Sequence, residues 1–167
     1  GANHDSDDAD GGLGIDQPEW DMRNEFTPVF EDYGVDVVYS GHSHSYERSY
    51  YLRGHTGTSD TFSPDAHAEL NADGDAALGY GNEAYAQLSP TSGGVDDRVV
   101  YTVAGNSGKA DDDSGLGGVT SPEEWLRHAA HVPQPADSEC GGPDGCRNGL
   151  AVRGSVVVDA SATQLTA

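Results

Sequence analysis

The stretch from residue 18 to residue 40 places a helix, one glycine and a strand in direct succession, and this order limits the possible folds most. Apolar side chains recur at the spacing of one helical face, at Met22, Phe26, Val29, Phe30 and Tyr33. This stripe predicts the core-facing side of a helix. Pro28 lies inside the pattern and predicts a kink or a division into two helices, and Gly34 predicts the helix end. The apolar run 35–39 then predicts a strand buried on both faces. We therefore expect a layered α/β fold of the α+β kind.

Two histidines separated by one residue follow this strand, in the sequence Gly41-His42-Ser43-His44. In extended backbone, residues i and i+2 point to the same side, so both imidazoles can face one metal ion. The glycine before them allows a sharp turn. Ligand sites in open α/β sheets gather at the carboxyl ends of strands. The pattern thus predicts that His42 and His44 are metal ligands.

The rest of the chain is expected to belong to the same domain, which spans residues 1–167. Further strands are predicted at 49–52, 98–104 and 154–159, and a fourth begins near 164–166. A loop containing Gly105 and Asn106 follows the strand at 98–104, and it is a candidate neighbour of a ligand. Residues 58–97 are rich in Gly, Ser, Asp and Ala, which predicts a flexible acidic surface insertion with a short helix near 65–70.

The charge of the chain excludes two classes of partner. Eight Lys and Arg residues stand against 29 Asp and Glu, for a formal net charge of −21. Nucleic acids and anionic membranes both require a basic surface, so neither is an expected partner. Abundant aspartate with a single lysine, Lys109, is typical of proteins from salt-loving organisms, in which screening removes the self-repulsion. An ordinary acidic surface and local disorder remain alternatives.

Two cysteines flank a turn-forming sequence. Cys140 and Cys146 enclose Gly-Gly-Pro-Asp-Gly, which favours a local disulfide and an oxidising compartment, although a zinc pair is the alternative. No apolar stretch is long enough to span a membrane and no signal peptide is present, so a targeting segment would lie upstream. We expect a secreted, extracellular or periplasmic location.

The motif around the two histidines resembles a known family. The sequence Gly41-His42-Ser43-His44-Ser45-Tyr46-Glu47-Arg48 is similar to the GHxHxYER signature of the purple acid phosphatases, within the calcineurin-like metallophosphoesterases. The resemblance includes Met22-Arg23, the residues 30–38 before the motif, and the strand and glycine loop at 100–109. It covers roughly residues 18–54 and 98–109.

The resemblance implies the carboxy-terminal part of a four-layer α/β/β/α sandwich that hydrolyses phosphate monoesters. In this family two metals, iron with zinc, manganese or a second iron, lie at strand ends and turn a bridging water into the attacking hydroxide. By analogy His42 and His44 bind different metals. Gly41, Tyr46, Glu47 and Arg48 would shape the loop, the last two through an ion pair. His4 would contact the phosphate or act as a general acid, although an exposed loop histidine is an equal alternative.

The chain also departs from the family. The remaining metal ligands belong to motifs of the GDxxY and GNHE kind in the amino-terminal half, and this chain contains neither motif. We therefore expect it to be part of a larger phosphatase, with the missing amino-terminal half as its partner and a phosphate monoester as substrate. Two alternatives remain: a non-catalytic acidic binding or structural protein on the same scaffold, and a phosphodiesterase or nucleotidase of the same superfamily.

Overall fold

The computed structural model describes residues 17–74, 98–108, 130, 149–150, 153–162 and 164–166. The helical elements are α1 (Gln17–Asp21), a π-helical turn (Met22–Phe26), α2 (Thr27–Asp32), a 3₁₀ turn (Ser59–Thr61) and α3 (Pro64–His67). The strands are β1 (Val37–Ser40), β2 (Tyr46–Leu52), β3 (Val99–Ala104), β4 (Gly149–Leu150), β5 (Asp159–Ala160) and β6 (Leu165–Thr166). Helices and small sheets are thus mixed, as in an α+β fold.

The larger sheet has the strand order β1-β3-β2-β4. Strand β1 runs parallel to β3, whereas β2 is antiparallel to β3 and to β4. The register of β2 shifts between Arg48 and Tyr51. Ser49 occupies this irregularity, and its hydroxyl accepts the Tyr101 N–H at 2.9 Å, which satisfies a donor of β3 at the break in the ladder. Strands β5 and β6 form a separate antiparallel pair.

The predicted helix, its interruption and its end are confirmed. The π-helical turn directly precedes α2, and Pro28 lies in the first turn of α2, so the regular helix is interrupted at the predicted place. At the end, Gly34 adopts a φ of 65°. The Gly34 N–H donates to the Glu31 carbonyl at 3.2 Å and the Val35 N–H donates to the Phe30 carbonyl at 3.0 Å. This is the Schellman pattern that glycine favours after a helix.

The prediction that the apolar stripe faces the core is wrong for the described part of the chain. Four of its five side chains are exposed, at 46–82% of their surface: Met22, Phe26, Val29 and Tyr33. The buried residues of α2 are Thr27 and Glu31. Both carboxylate oxygens of Glu31 accept the Gly54 N–H, at 3.0 and 2.9 Å. A polar face therefore turns inward because it has a hydrogen-bond partner there, which apolar periodicity does not reveal.

Three strand predictions need correction. Strand β1 is not buried on both faces, since Tyr39 and Ser40 are exposed at the outer strand of the sheet. Of the strand predicted at 154–159, only Asp159 belongs to a strand, and residues 153–158 have no regular structure. The strand predicted at 49–52 begins earlier, at Tyr46, within the motif itself. The strands predicted at 98–104 and near 164–166 are confirmed.

Part of the predicted insertion packs on the sheet. The short helix α3 is present, and the chain after it forms a bridge between Ala68 and Leu52 of β2. Ala68 and Glu69 are buried, so a surface position is wrong for these two residues. Residues 75–97 lie outside the described residues, as does the cysteine turn.

Tyr101 gives the fold an expected dependence on alkaline pH. Burial and the negative charge of Glu31 raise the pKa of Tyr101 above its ordinary value of 10, against a smaller lowering by Thr27. The unfolded chain therefore ionises first, so this contribution to stability is complete below pH 10 and is lost as the pH rises above 10. The free energy of unfolding, measured with urea from pH 8 to pH 11.5, should fall less steeply in Tyr101→Phe than in the wild type. Tyr33→Phe, at an 82% exposed position, is the matched control. Equal slopes for wild type and Tyr101→Phe would contradict the prediction.

Candidate functional site

The motif loop lies where the carboxyl ends of two parallel strands meet. Strand β1 ends at Ser40 and β3 ends at Ala104, and β3 lies between β1 and β2. Residues 41–45 therefore have to cross the end of β3 to reach β2. At this crossing the Gly105 N–H donates to the Ser45 carbonyl at 3.1 Å. A Cβ atom on Gly105 would lie 1.9 Å from the Ser43 carbonyl oxygen, so only glycine allows the two loops to approach this closely. The structure thus places the Gly105 loop directly against the motif loop.

The backbone of the motif loop is bent, so the expectation of extended backbone at the two histidines is wrong. Residues 42–45 form a bend, and His42 has a φ of 72°, in the left-handed region. It is the only residue other than glycine with a positive φ among the described residues. The sharp turn therefore falls on His42 and not on Gly41. Because such conformations cost about 1–3 kcal/mol and persist only when surrounding contacts impose them, the loop shape is held by its neighbours.

Buried polar side chains alternate with the histidines and fix the loop. Ser43, Ser45 and Glu47 are buried, at 6%, 0% and 2% exposure, whereas His42 is exposed and His44 is half-buried. The Ser45 hydroxyl donates to the Glu47 carboxylate and lies 3.5 Å from the Ser43 hydroxyl. In the structure the Glu47 carboxylate contacts the loop through a serine hydroxyl. The ion pair expected between Glu47 and Arg48 stays a prediction. Hydrogen-bonded burial on one side leaves the histidine side chains on the more accessible side.

His42 meets a residue that sequence reasoning did not single out. Its Nε2 atom lies 3.5 Å from Oε1 of Glu19, in α1. The other oxygen of this carboxylate, Oε2, is buried and has no hydrogen-bond partner among the described residues. No motif marks Glu19, which lies 23 positions before His42 in an acidic stretch. Only the packing of α1 beside the motif loop identifies it.

The other predicted site residues divide into three groups. Tyr46 and Arg48 are half-buried in β2, where Tyr46 pairs with Ala104 and Arg48 with Thr102. Burial and the neighbouring Tyr46 raise the pKa of Tyr39 on β1. Asn106 is buried beside the motif loop, and its carbonyl accepts the Gly154 N–H at 3.3 Å. His4 lies outside the described residues.

Outside the motif, His55 and His67 form a cluster with Phe62. The ring centroids of His55 and His67 are 4.8 Å apart, and Phe62 contacts both rings. The Nδ1 atom of His67 accepts the Ser63 N–H at 3.0 Å, and Nε2 of His55 lies 3.1 Å from the Thr61 hydroxyl. These bonds use the ring nitrogens to shape residues 55–67, which favours a structural role.

The imidazole groups of His42 and His44 are suitable as some of the ligands of a metal centre, but they do not form a complete ligand set. Imidazole nitrogen is a suitable ligand for iron, zinc and manganese. Within residues that the structure describes, however, no group of three or more His, Cys, Asp or Glu side chains could hold a metal ion. Even catalytic zinc usually has three protein ligands. A centre that uses His42 and His44 therefore needs ligands from beyond the described residues.

The comparisons with known proteins cover a small part of the chain. Two proteins are similar to it over 43 residues at 54% identity: the uncharacterized protein MT2654 of Mycobacterium tuberculosis strain CDC 1551 / Oshkosh and the uncharacterized protein Rv2577 of strain ATCC 25618 / H37Rv. The match spans 26% of this chain and 8% of each relative. No family model and no solved structure matches the chain. In the described part of the chain, no helix has the length and apolar character needed to cross a bilayer.

Proposed function

We propose that this chain supplies one edge of the site of a metal-dependent phosphomonoesterase. The observation that carries the proposal is the eight-residue motif at 41–48, which resembles the purple acid phosphatase signature. The structure supports it with a loop at the carboxyl ends of two parallel strands, which is a common location for ligand sites. The strained backbone at His42 supports it further, because such strain clusters at functional sites.

Each residue of the motif has a role in this proposal. His42 and His44 provide imidazole ligands, and metal ions bound there would supply the Lewis acidity and the activated water for phosphate ester hydrolysis. Ser45 and Glu47 hold the loop from its buried side. Gly105 lets the neighbouring loop pack against it. In this proposal, side chains of this chain bind the metal ions and position the motif loop. The fold to which they would belong is the metallophosphoesterase sandwich.

We further propose that the remaining ligands belong to an amino-terminal half of the same protein. The absence of a three-ligand group among the described residues supports this, as does the resemblance to the carboxy-terminal half of the family alone. Most of the apolar stripe of the first helical segment is exposed, as is Tyr39 on the outer strand β1, which is expected of surfaces that pack against a further layer. The 167-residue chain alone should consequently hydrolyse p-nitrophenyl phosphate poorly.

Substitution of His44 tests the ligand assignment. In a longer polypeptide that contains this sequence and the missing ligands, His44→Ala should reduce p-nitrophenyl phosphate turnover by roughly 100-fold or more, because loss of a ligand exceeds the 10–100-fold effect of outer contacts. Bound metal, measured by elemental analysis, should fall in parallel, while the circular dichroism spectrum should stay the same.

His67→Ala is the matched control, because His67 lies in the separate aromatic cluster with Phe62. It should retain turnover and metal content even if it lowers thermal stability. Turnover of His44→Ala near the wild-type rate would reject His44 as a ligand. Robust turnover by the 167-residue chain alone would reject the proposal that the other ligands lie elsewhere.

A further inference from the structure

We propose that Glu19 is a positioning residue that holds the imidazole ring of His42, an inference that rests on the metal-binding role proposed above for His42. The contact joins Nε2 of His42 to Oε1 of Glu19 at 3.5 Å. A charge-assisted N–H···O bond measures about 2.8 Å, so an approach of roughly 0.7 Å completes it. The two residues come from different elements, α1 and the motif loop, so the contact ties the helix to the loop.

The surroundings of Glu19 favour a lasting contact over a chance surface pair. The Glu19 side chain is 29% exposed, and its second oxygen, Oε2, is buried without a hydrogen-bond partner in the part of the chain that the structure describes. A hydrogen-bond donor at the other oxygen, Oε1, would stabilise this carboxylate. Nε2 of His42 is close enough to be that donor. The left-handed backbone at His42 sets the direction in which its side chain leaves the loop.

The chemical consequence concerns the other ring nitrogen. If Nε2 keeps the proton and donates it to Glu19, Nδ1 carries the lone pair and becomes the atom that binds a metal. Histidines that bind metals commonly donate their second ring N–H to a carboxylate in this way, which fixes the tautomer and the ring orientation. Glu19 would thus decide which atom of His42 faces the site, without touching the substrate.

The tautomer of His42 can be measured without metal or substrate. We would record long-range ¹H–¹⁵N spectra of the histidine-labelled 167-residue chain at pH 8, with His42 assigned from the His42→Ala variant. In the wild type, the Nδ1 and Nε2 shifts of His42 should lie far apart, as in a single Nε2–H tautomer. In Glu19→Ala they should move toward each other as both tautomers become populated. The shifts of His44 should not change.

Two further variants separate positioning from charge. Glu19→Gln keeps an oxygen that can accept the N–H and should retain most of the wild-type separation. Glu25→Ala removes an exposed acid from the same helical segment and should have no effect. Wild-type shifts in Glu19→Ala would overturn the proposal. So would a Glu19→Gln spectrum identical to that of Glu19→Ala, because the charge and not the accepting oxygen would then matter.

A second measurement keeps this inference distinct from the proposed function. In the longer polypeptide, calorimetric titration with Zn²⁺ should show about 10–100-fold weaker binding for Glu19→Ala and nearly unchanged binding for Glu19→Gln. Unchanged affinity in Glu19→Ala would overturn a positioning role toward the metal. If the tautomer responds as expected and the wild-type polypeptide binds no zinc, the contact between Glu19 and His42 is supported and the metal site is rejected.

Discussion

Replacing Gly105 with alanine should destabilise the protein by about 3 kcal/mol or more. The new Cβ atom would lie 1.9 Å from the Ser43 carbonyl oxygen and 2.9 Å from its carbonyl carbon. Both are backbone atoms, so no side chain can rotate to relieve the overlap. The motif loop or the end of β3 must move instead, and the bond between the Gly105 N–H and the Ser45 carbonyl would be strained or lost. Urea denaturation followed by circular dichroism measures the change.

Gly108→Ala is the matched control for this prediction. It makes the same substitution three residues later, where an added Cβ meets no atom of the described residues within 4 Å. It should change the free energy of unfolding by less than about 0.5 kcal/mol. If the Gly105→Ala variant were as stable as the Gly108→Ala variant, the close approach of the two loops would be wrong.

Replacing Glu47 with alanine should cost about 3 kcal/mol of stability and should loosen the motif loop. Glu47 is 2% exposed and Ser45 is fully buried, so truncation leaves a cavity and removes the carboxylate that accepts the Ser45 hydroxyl. The consequence reaches the histidines because Ser45 directly follows His44. In the longer polypeptide, metal affinity should therefore fall together with stability.

Glu47→Gln distinguishes the shape of this side chain from its charge. The amide has nearly the same volume and still offers an oxygen to the Ser45 hydroxyl, so the loss should be about 1 kcal/mol. A stability of Glu47→Ala within about 0.5 kcal/mol of the wild type would show that the buried contact does not hold the loop. Hydrogen exchange of the amides at 42–46 would report the loosening directly.

Local patterns were sufficient to predict most elements of the fold. Glycine after an apolar helical stretch predicted the turn at Gly34, and proline predicted the interruption near Pro28, because both residues act through their own backbone. The β-branched run at 99–103 predicted β3 for a similar local reason. The strand predicted at 154–159 from the apolar run 156–158 was wrong except at Asp159, since strands also need a neighbour with which to pair.

The two histidines of the candidate site could be predicted from the sequence, whereas their geometry and their neighbour Glu19 could not. His42 and His44 stood out through their spacing and through the position of the motif after a strand. The bent backbone at these histidines could not be predicted, because φ at His42 depends on how the loop crosses the end of β3. No sequence pattern distinguished Glu19 from the many other acidic residues, and only its contact with His42 in the folded chain identifies it.

By itself, the sequence determined the local elements of this protein: the helix that stops at Gly34, the strand that precedes the motif, the strongly acidic character and the pair of histidines at a strand end. Tertiary structure alone decided that the polar face of α2 turns inward, that Gly105 lies against the Ser43 backbone and that Glu19 reaches His42. The reason is physical. Backbone preferences and periodicity act over a few neighbouring residues, whereas burial and hydrogen-bond partnership depend on which distant segments the fold brings together.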